Sequence, residues 1–123
     1  MCEVVVCVVE FFRIKCGVRQ GRVLSPQLFA VYIDVVIKAV QSQRSGCYMH
    51  HVCINIILYA DDILLLSPSI EDLQQLIHVC ESAINSLGLQ LNYKKSVCMR
   101  VGSRHLVDCD NIKTLNGITS WYA

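Results

Sequence analysis

The sequence predicts an α+β fold: an antiparallel sheet with two helices packed on one face. Three observations carry that expectation. Residues 2–15 are rich in Val and alternate over Phe11–Lys15, the pattern of a strand. Two segments, near 26–43 and 70–87, repeat apolar residues at helical spacing behind helix-start signals. Between them, the apolar, β-branched runs Val52–Leu58 and Ile63–Leu66 flank Tyr59-Ala60-Asp61-Asp62, which reads as a hairpin with a polar tip. Strand, helix, hairpin, helix and strands in that order place the helices on one side of a sheet.

Each element follows from its own residues. Cys16–Val23 holds Gly17 and Gly21 and reads as a loop. Ser25 is the expected N-cap of the first helix, with Pro26 at its first helical position. Its polar stripe is narrow (Asp34, Lys38, Gln41), so burial on most sides is expected. Asp34 and Lys38 form an i,i+4 pair in the favourable order. Ser45–His51 reads as a turn region. Pro68-Ser69 ends the hairpin, and Ser69 with Asp72 resembles a capping box. Leu73, Leu76, Ile77, Cys80, Ile84 and Leu87 share one face of the second helix, and Gly88 supplies a left-handed stop. Leu89–Asn92 and Ser96–Val101 read as short strands around a basic turn, Lys94-Lys95. Strand-like pieces near Ile112–Leu115 and Ile118–Tyr122 flank Asn116-Gly117, a hairpin turn.

At 123 residues the chain has room for one domain, and 54% apolar against 17% charged residues excludes a disordered chain. The formal net charge of +1 supplies no strong field toward nucleic acid or acidic lipid. A mean hydropathy of +0.45 is high for a free domain and implies surface that packs against something else. Several of the eight cysteines lie inside apolar runs, where a free thiol acts as a small hydrophobe. No C-x-x-C occurs, and reduced intracellular thiols are expected rather than a disulfide scaffold. Met1-Cys2-Glu3 lacks the positive charge that opens a signal peptide, and no run approaches the roughly 18 apolar residues of a membrane span.

Asp61 and Asp62 stand at the tip of an otherwise greasy hairpin. Adjacent carboxylates repel unless a cation neutralises them, and a divalent metal takes both as hard oxygen ligands. Nucleotidyl transfer uses such a pair. A solvated turn is the plain alternative, since Asp is common there.

The surrounding motifs weigh on that choice. Tyr59-Ala60-Asp61-Asp62 within Ile56–Leu66 resembles the catalytic hairpin of reverse transcriptases. Gly17-Val18-Arg19-Gln20-Gly21 followed by Leu24-Ser25-Pro26-Gln27-Leu28-Phe29 resembles the family's loop-and-helix element. Leu87-Gly88-Leu89 with Asn92 and Lys95-Ser96 is similar to its next motif. Three ordered motifs over about residues 11–101 are specific, and they are most similar to the non-LTR (LINE-type) retrotransposon class. The resemblance makes residues 1–123 a single partial palm domain, with the fingers, an upstream palm strand and the thumb outside it.

The resemblance implies RNA-directed DNA synthesis with Mg²⁺ (or Mn²⁺), an RNA template, a DNA primer and deoxynucleoside triphosphates. It makes Asp61 and Asp62 catalytic metal ligands and puts Tyr59 near the primer–template. Arg19, Gln20 and Gly21 fall beside the template or nascent base pair, and Lys95 takes the place of a lysine that steadies the leaving pyrophosphate. A solvated basic turn is the alternative for Lys94-Lys95. The family's upstream carboxylate has no counterpart in an aromatic-Asp context, and Glu3 and Glu10 are the acids that could fold back beside the pair. An incomplete set leads to the expectation of no activity by this chain alone. The other readings are a non-catalytic remnant that binds nucleic acid or a partner, and a decayed retroelement copy. Cys47, His50, His51 and Cys53 crowd one short turn too tightly for zinc, so no zinc is expected. An intracellular place, cytoplasmic or nuclear, with no membrane partner, completes the reading.

Overall fold

In the computed structural model, which describes residues 4–13, 25–59, 62–103, 111–115, 117–118 and 120–121, the Val-rich N-terminal run forms the middle of a sheet. β1 (Val4–Arg13) lies between β5 (Asp62–Ser67) and β6 (Leu89–Val101), antiparallel to both. β4 (Ile56–Tyr59) pairs with the far side of β5, and β9 (Ser120–Trp121) joins β6, for a strand order β4-β5-β1-β6-β9. A strand paired on both sides suits β-branched residues, which explains why β1 takes the centre. β9 runs parallel to β6 at Val97 and Cys98, so the sheet is antiparallel except at this short edge.

The helices α1 (Ser25–Gln41) and α2 (Ile70–Ser86) cover one face of this sheet. Leu73, Leu76, Ile77, Cys80 and Ile84 of α2 are fully buried with Ile63 and Leu65 of β5 and Leu91 and Cys98 of β6. Ile33, Val36 and Val40 join them from α1. Ser69 caps α2, its Oγ accepting the Asp72 N–H at 3.2 Å. The buried Ser67 hydroxyl donates to the Ser69 carbonyl at 3.0 Å, tying the end of β5 to the start of α2. Gly88, at φ +74°, takes the left-handed position that stops the helix, and its N–H reaches the Asn85 carbonyl. On the α1 surface, Lys38 Nζ meets Asp34 Oδ2 at 2.6 Å, an exposed pair worth about 0.3–0.5 kcal/mol.

Four local expectations need correction. The first helix is not buried on most sides: Val31, Tyr32 and Val35 are 70%, 57% and 51% exposed. α1 meets α2 and the edge strand β4, so one stripe suffices to dock it and the other apolar residues face outward. The turn expected at 45–51 is instead half of a hairpin, β2 (Cys47–Met49) against β3 (Val52–Ile54). His50 and His51, at φ 48° and 70°, form its two-residue turn, the left-handed pair that matches strand twist. The run 52–58 is accordingly broken at Asn55 rather than continuous. The two strands expected at 89–92 and 96–101 are one strand with an irregular middle, described below. Finally, β7 (Lys113–Thr114) pairs with β8 (Gly117–Ile118), with Thr114 opposite Gly117. Gly117 is therefore a paired strand residue and not part of the turn, and Asn116 lies outside the described residues. Among the described residues, no helix is long and apolar enough to cross a membrane.

Candidate active site

One end of the sheet carries a row of paired polar positions. Tyr59 pairs with Asp62, Asp62 with Glu10, and Glu10 with Asn92, one row across four strands. With neighbouring strands about 5 Å apart, Asp62 and Asn92 stand roughly 10 Å from each other across β1. Burial shows which way Asp62 faces. Ile63, Leu65 and Ser67 alternate inward under the helices, so Asp62 points to the open side and is exposed. Tyr59 is 81% exposed on the same open side, and Ile57, Met99 and Val101 continue that side as an apolar surface. Asp62 is the first residue of β5, and Ala60 and Asp61, between it and Tyr59 in sequence, lie outside the described residues. Arg19, Gln20 and Gly21 also lie outside them.

Beyond Asn92 the ladder is interrupted. Val8 pairs with Val97 and Glu10 with Asn92, so β6 carries three more residues than β1 across this step. An extra segment of odd length shifts the inward phase: Leu89 and Leu91 point to the core before it, Ser96 and Cys98 after it. The Ser96 hydroxyl closes the bulge by donating to the Asn92 carbonyl at 2.8 Å. Lys94 and Lys95 are exposed within the bulge, which places the basic pair at the same end of the sheet as the acidic turn.

The bulge has a second support. A Cβ built on Gly117 would come within 2.5, 2.6 and 2.9 Å of three Tyr93 ring atoms, so only glycine lets β8 lie against that ring. Gly117→Ala is expected to destabilise the fold by about 1–3 kcal/mol through this overlap. Thermal melts of Gly117→Ala, Tyr93→Ala and the double variant check it, with most of the Gly117→Ala loss absent once the ring is gone.

Two further groups hold the C-terminal hairpin, and the sequence reading passed over both. The Gln74 carboxamide acts as a strand edge: its Nε2 donates to the Lys113 carbonyl at 2.6 Å and its Oε1 accepts the Lys113 N–H at 2.8 Å. Glu81, fully buried, accepts the Leu115 N–H with its carboxylate at 2.9 and 3.1 Å. Glu81 occupies the core stripe eight residues after Leu73, and that position was the available signal. Its charge and, more strongly, burial push the Cys80 thiol from 9.0 up to about 12. The Cys47, His50, His51 and Cys53 cluster forms the β2-β3 hairpin, with Tyr48 and not Cys47 opposite Cys53. Among the described residues, no three His, Cys, Asp or Glu come together as a metal-binding group.

A helix-backed, mainly antiparallel sheet with the hairpin at one end of its open face is consistent with a partial polymerase palm. The sequence comparisons agree. The family model described as reverse transcriptase (RNA-dependent DNA polymerase) matches residues 6–116. The chain is 33% identical over 93 residues to the retrovirus-related Pol polyprotein of the type-1 retrotransposable element R2 from Nasonia vitripennis, covering 76% of this chain and 9% of that protein. It is 33% identical over 86 residues to the Pol polyprotein of the type-2 element R2DM from Drosophila melanogaster, covering 70% and 8%. A transposon TX1 149 kDa protein of Xenopus laevis is 28% identical over 89 residues. The chain belongs to the reverse transcriptase family, in its non-LTR (LINE-type) retrotransposon branch. It spans about a tenth of the length of the curated relatives named here.

Proposed function

We propose that the chain is the catalytic palm segment of an RNA-directed DNA polymerase, extending a DNA primer on an RNA template by nucleotidyl transfer. The row Tyr59–Asp62–Glu10–Asn92 is the observation that carries this reading. It brings the acidic hairpin, a second acid position and the basic bulge to one end of the sheet. Asp61 and Asp62 are the metal ligands. Asp62 suits a hard cation: it is an exposed carboxylate, and no described lysine or arginine forms an ion pair with it. When bound, Mg²⁺ or Mn²⁺ supplies charge neutralisation at the attacking and leaving oxygens. Glu10, in register with Asp62, is the acid placed to stand in for a third carboxylate.

The remaining roles belong to side chains that bind and orient. Tyr59 offers an exposed ring to the primer–template, on which a base or sugar can pack. Lys95 directs positive charge toward departing pyrophosphate. Arg19, Gln20 and Gly21, just ahead of α1, contact the template or nascent pair, glycine allowing close backbone approach.

Metal binding by the chain alone is expected to be weak, because Mg²⁺ tolerates few protein ligands only when substrate phosphates supply others. Millimolar-range Mg²⁺ should leave the melting temperature unchanged, and the chain should show no primer extension on an RNA template. Paramagnetic Mn²⁺ provides a test sensitive to weak binding. Nuclear magnetic resonance signals of Tyr59–Asp62 should broaden first, and Asp61→Asn with Asp62→Asn should abolish the effect. Broadening centred on His50 and His51, with none at Asp62, would overturn the assignment.

A further inference from the structure

We infer that Asn55 is a positioning residue that fixes the register of the β4-β5 hairpin, and through it the place of the acidic turn. β4 is an edge strand, held in the sheet by the β5 ladder. Its residues Ile56, Ile57 and Leu58 are all large and apolar, as are Ile63, Leu64, Leu65 and Leu66 of β5. Register is normally set because a one-residue slip turns apolar side chains to water. Here a slip exchanges Ile57 for Ile56 and Leu58, apolar for apolar, and the hydrophobic pattern hardly discriminates. The two-residue loop between Tyr59 and Asp62 would become a three-residue loop, another common hairpin length. Something other than hydrophobicity must select the observed pairing.

Asn55 has that property. It is 2% exposed and lies immediately before β4. Its Nδ2 donates to the Val40 carbonyl at 2.8 Å and the Gln43 carbonyl at 2.9 Å, with the Ser45 carbonyl at 3.4 Å. These oxygens belong to the last turn of α1 and the chain just after it, where the Val40 carbonyl also accepts the Gln43 N–H at 3.1 Å, so the carboxamide adds a second bond there and ties in the Gln43 carbonyl. The Asn55 backbone carbonyl meanwhile accepts the Leu66 N–H at 3.0 Å, the rung that continues the β4-β5 ladder. One residue thus bonds to the end of α1 with its side chain and to β5 with its backbone. Gly46 makes room for it, since a Cβ there would lie 2.6 Å from the Asn55 Cβ. A slip of one residue turns the carboxamide away from α1 and breaks its hydrogen bonds to the Val40 and Gln43 carbonyls, which disfavours the slipped pairing by roughly tenfold.

The consequence for the carboxylates rests on the polymerase reading; the register does not. In the observed pairing Asp62 faces the open side, opposite Tyr59 and Glu10. A slipped β4 pulls Asp62 into the loop and takes Tyr59 out of the row.

Nuclear Overhauser contacts across the hairpin test this in the intact chain. The parent should show one set, with Ile57 opposite Leu64. Asn55→Leu, similar in size but without donors, should show a second set with Ile57 opposite Leu65, its share raised about tenfold over the parent. Asn55→His restores a ring N–H at the same reach and should return the single native set. If Asn55→Leu does not fold, the histidine chain decides: native register supports the inference, and a slipped set overturns it. A folded Asn55→Leu chain with the native set alone also overturns it. The Mn²⁺ experiment on the parent fails or succeeds independently, so loss of the polymerase reading would not be mistaken for loss of the register role.

Discussion

Between pH 9 and 12 the folded chain is expected to lose about 3 kcal/mol of stability through one thiol, Cys80. Cys80 is fully buried on α2, and burial together with the adjacent Glu81 raises its pKa from 9.0 to about 12. The folded value lies above the unfolded one, so the contribution is fully present below pH 9. As pH rises, the unfolded chain releases this proton first, and stability falls by about 1.4 kcal/mol per unit until the folded thiol ionises near 12. Urea unfolding of the parent and Cys80→Ala at pH 8 and 10.5 isolates the effect from other alkaline titrations. The parent should lose about 2 kcal/mol more than the variant over that interval. Equal losses would refute it. In the native state at pH 8, thiol reagents should modify the half-buried Cys47 and Cys53 and spare Cys80.

Glu81→Ala should destabilise the chain by about 2–4 kcal/mol, among the largest effects of any single polar substitution here. The carboxylate is buried and takes the Leu115 N–H with both oxygens, so alanine removes a charged hydrogen bond, strands a backbone donor and leaves a void. Glu81→Gln retains one acceptor for that N–H but adds two donors, and should fall between. Denaturant midpoints give the magnitude. Amide exchange at Leu115 gives the cause: it should accelerate more than exchange at Leu76 or Ile77, because the β7-β8 hairpin is released before the core opens. Uniform acceleration would mean that Glu81 acts on the whole fold and not on the hairpin.

Much of the fold was legible because its signals are local. The Ser69 cap, the apolar stripe from Leu73 to Ile84 and the Gly88 stop define α2 from sequence alone, and Tyr59 and Asp62 pair across the expected turn. The hidden features depend on partners far along the chain. Val31, Tyr32 and Val35 have the composition of a core stripe, and their exposure follows from how few elements meet α1. Asn55 was visible as a lone amide in an apolar run, yet its role needed the carbonyls of 40–45 beside it. Glu81 sat at a core position, but its backbone partner is 34 residues away. Of the candidate site, the hairpin was readable from its flanking apolar runs and Lys95 was singled out by the family resemblance, whereas the pairing of Glu10 with Asp62 is a property of the sheet.

The bulge in β6 also sets an arithmetic on chain length. Its three additional residues turn an odd-numbered inward set, Leu89 and Leu91, into an even-numbered one, Ser96 and Cys98. The two halves of the strand are therefore coupled by parity. Loss or gain of a single codon between Asn92 and Ser96 would turn one half inside out, exposing Leu89 and Leu91 or Cys98. A change of two would keep the inward set on its proper side and would act instead on the Ser96–Asn92 closure and the size of the basic loop. Even steps in the length of this segment therefore preserve the inward phase of both halves of the strand, and odd steps do not.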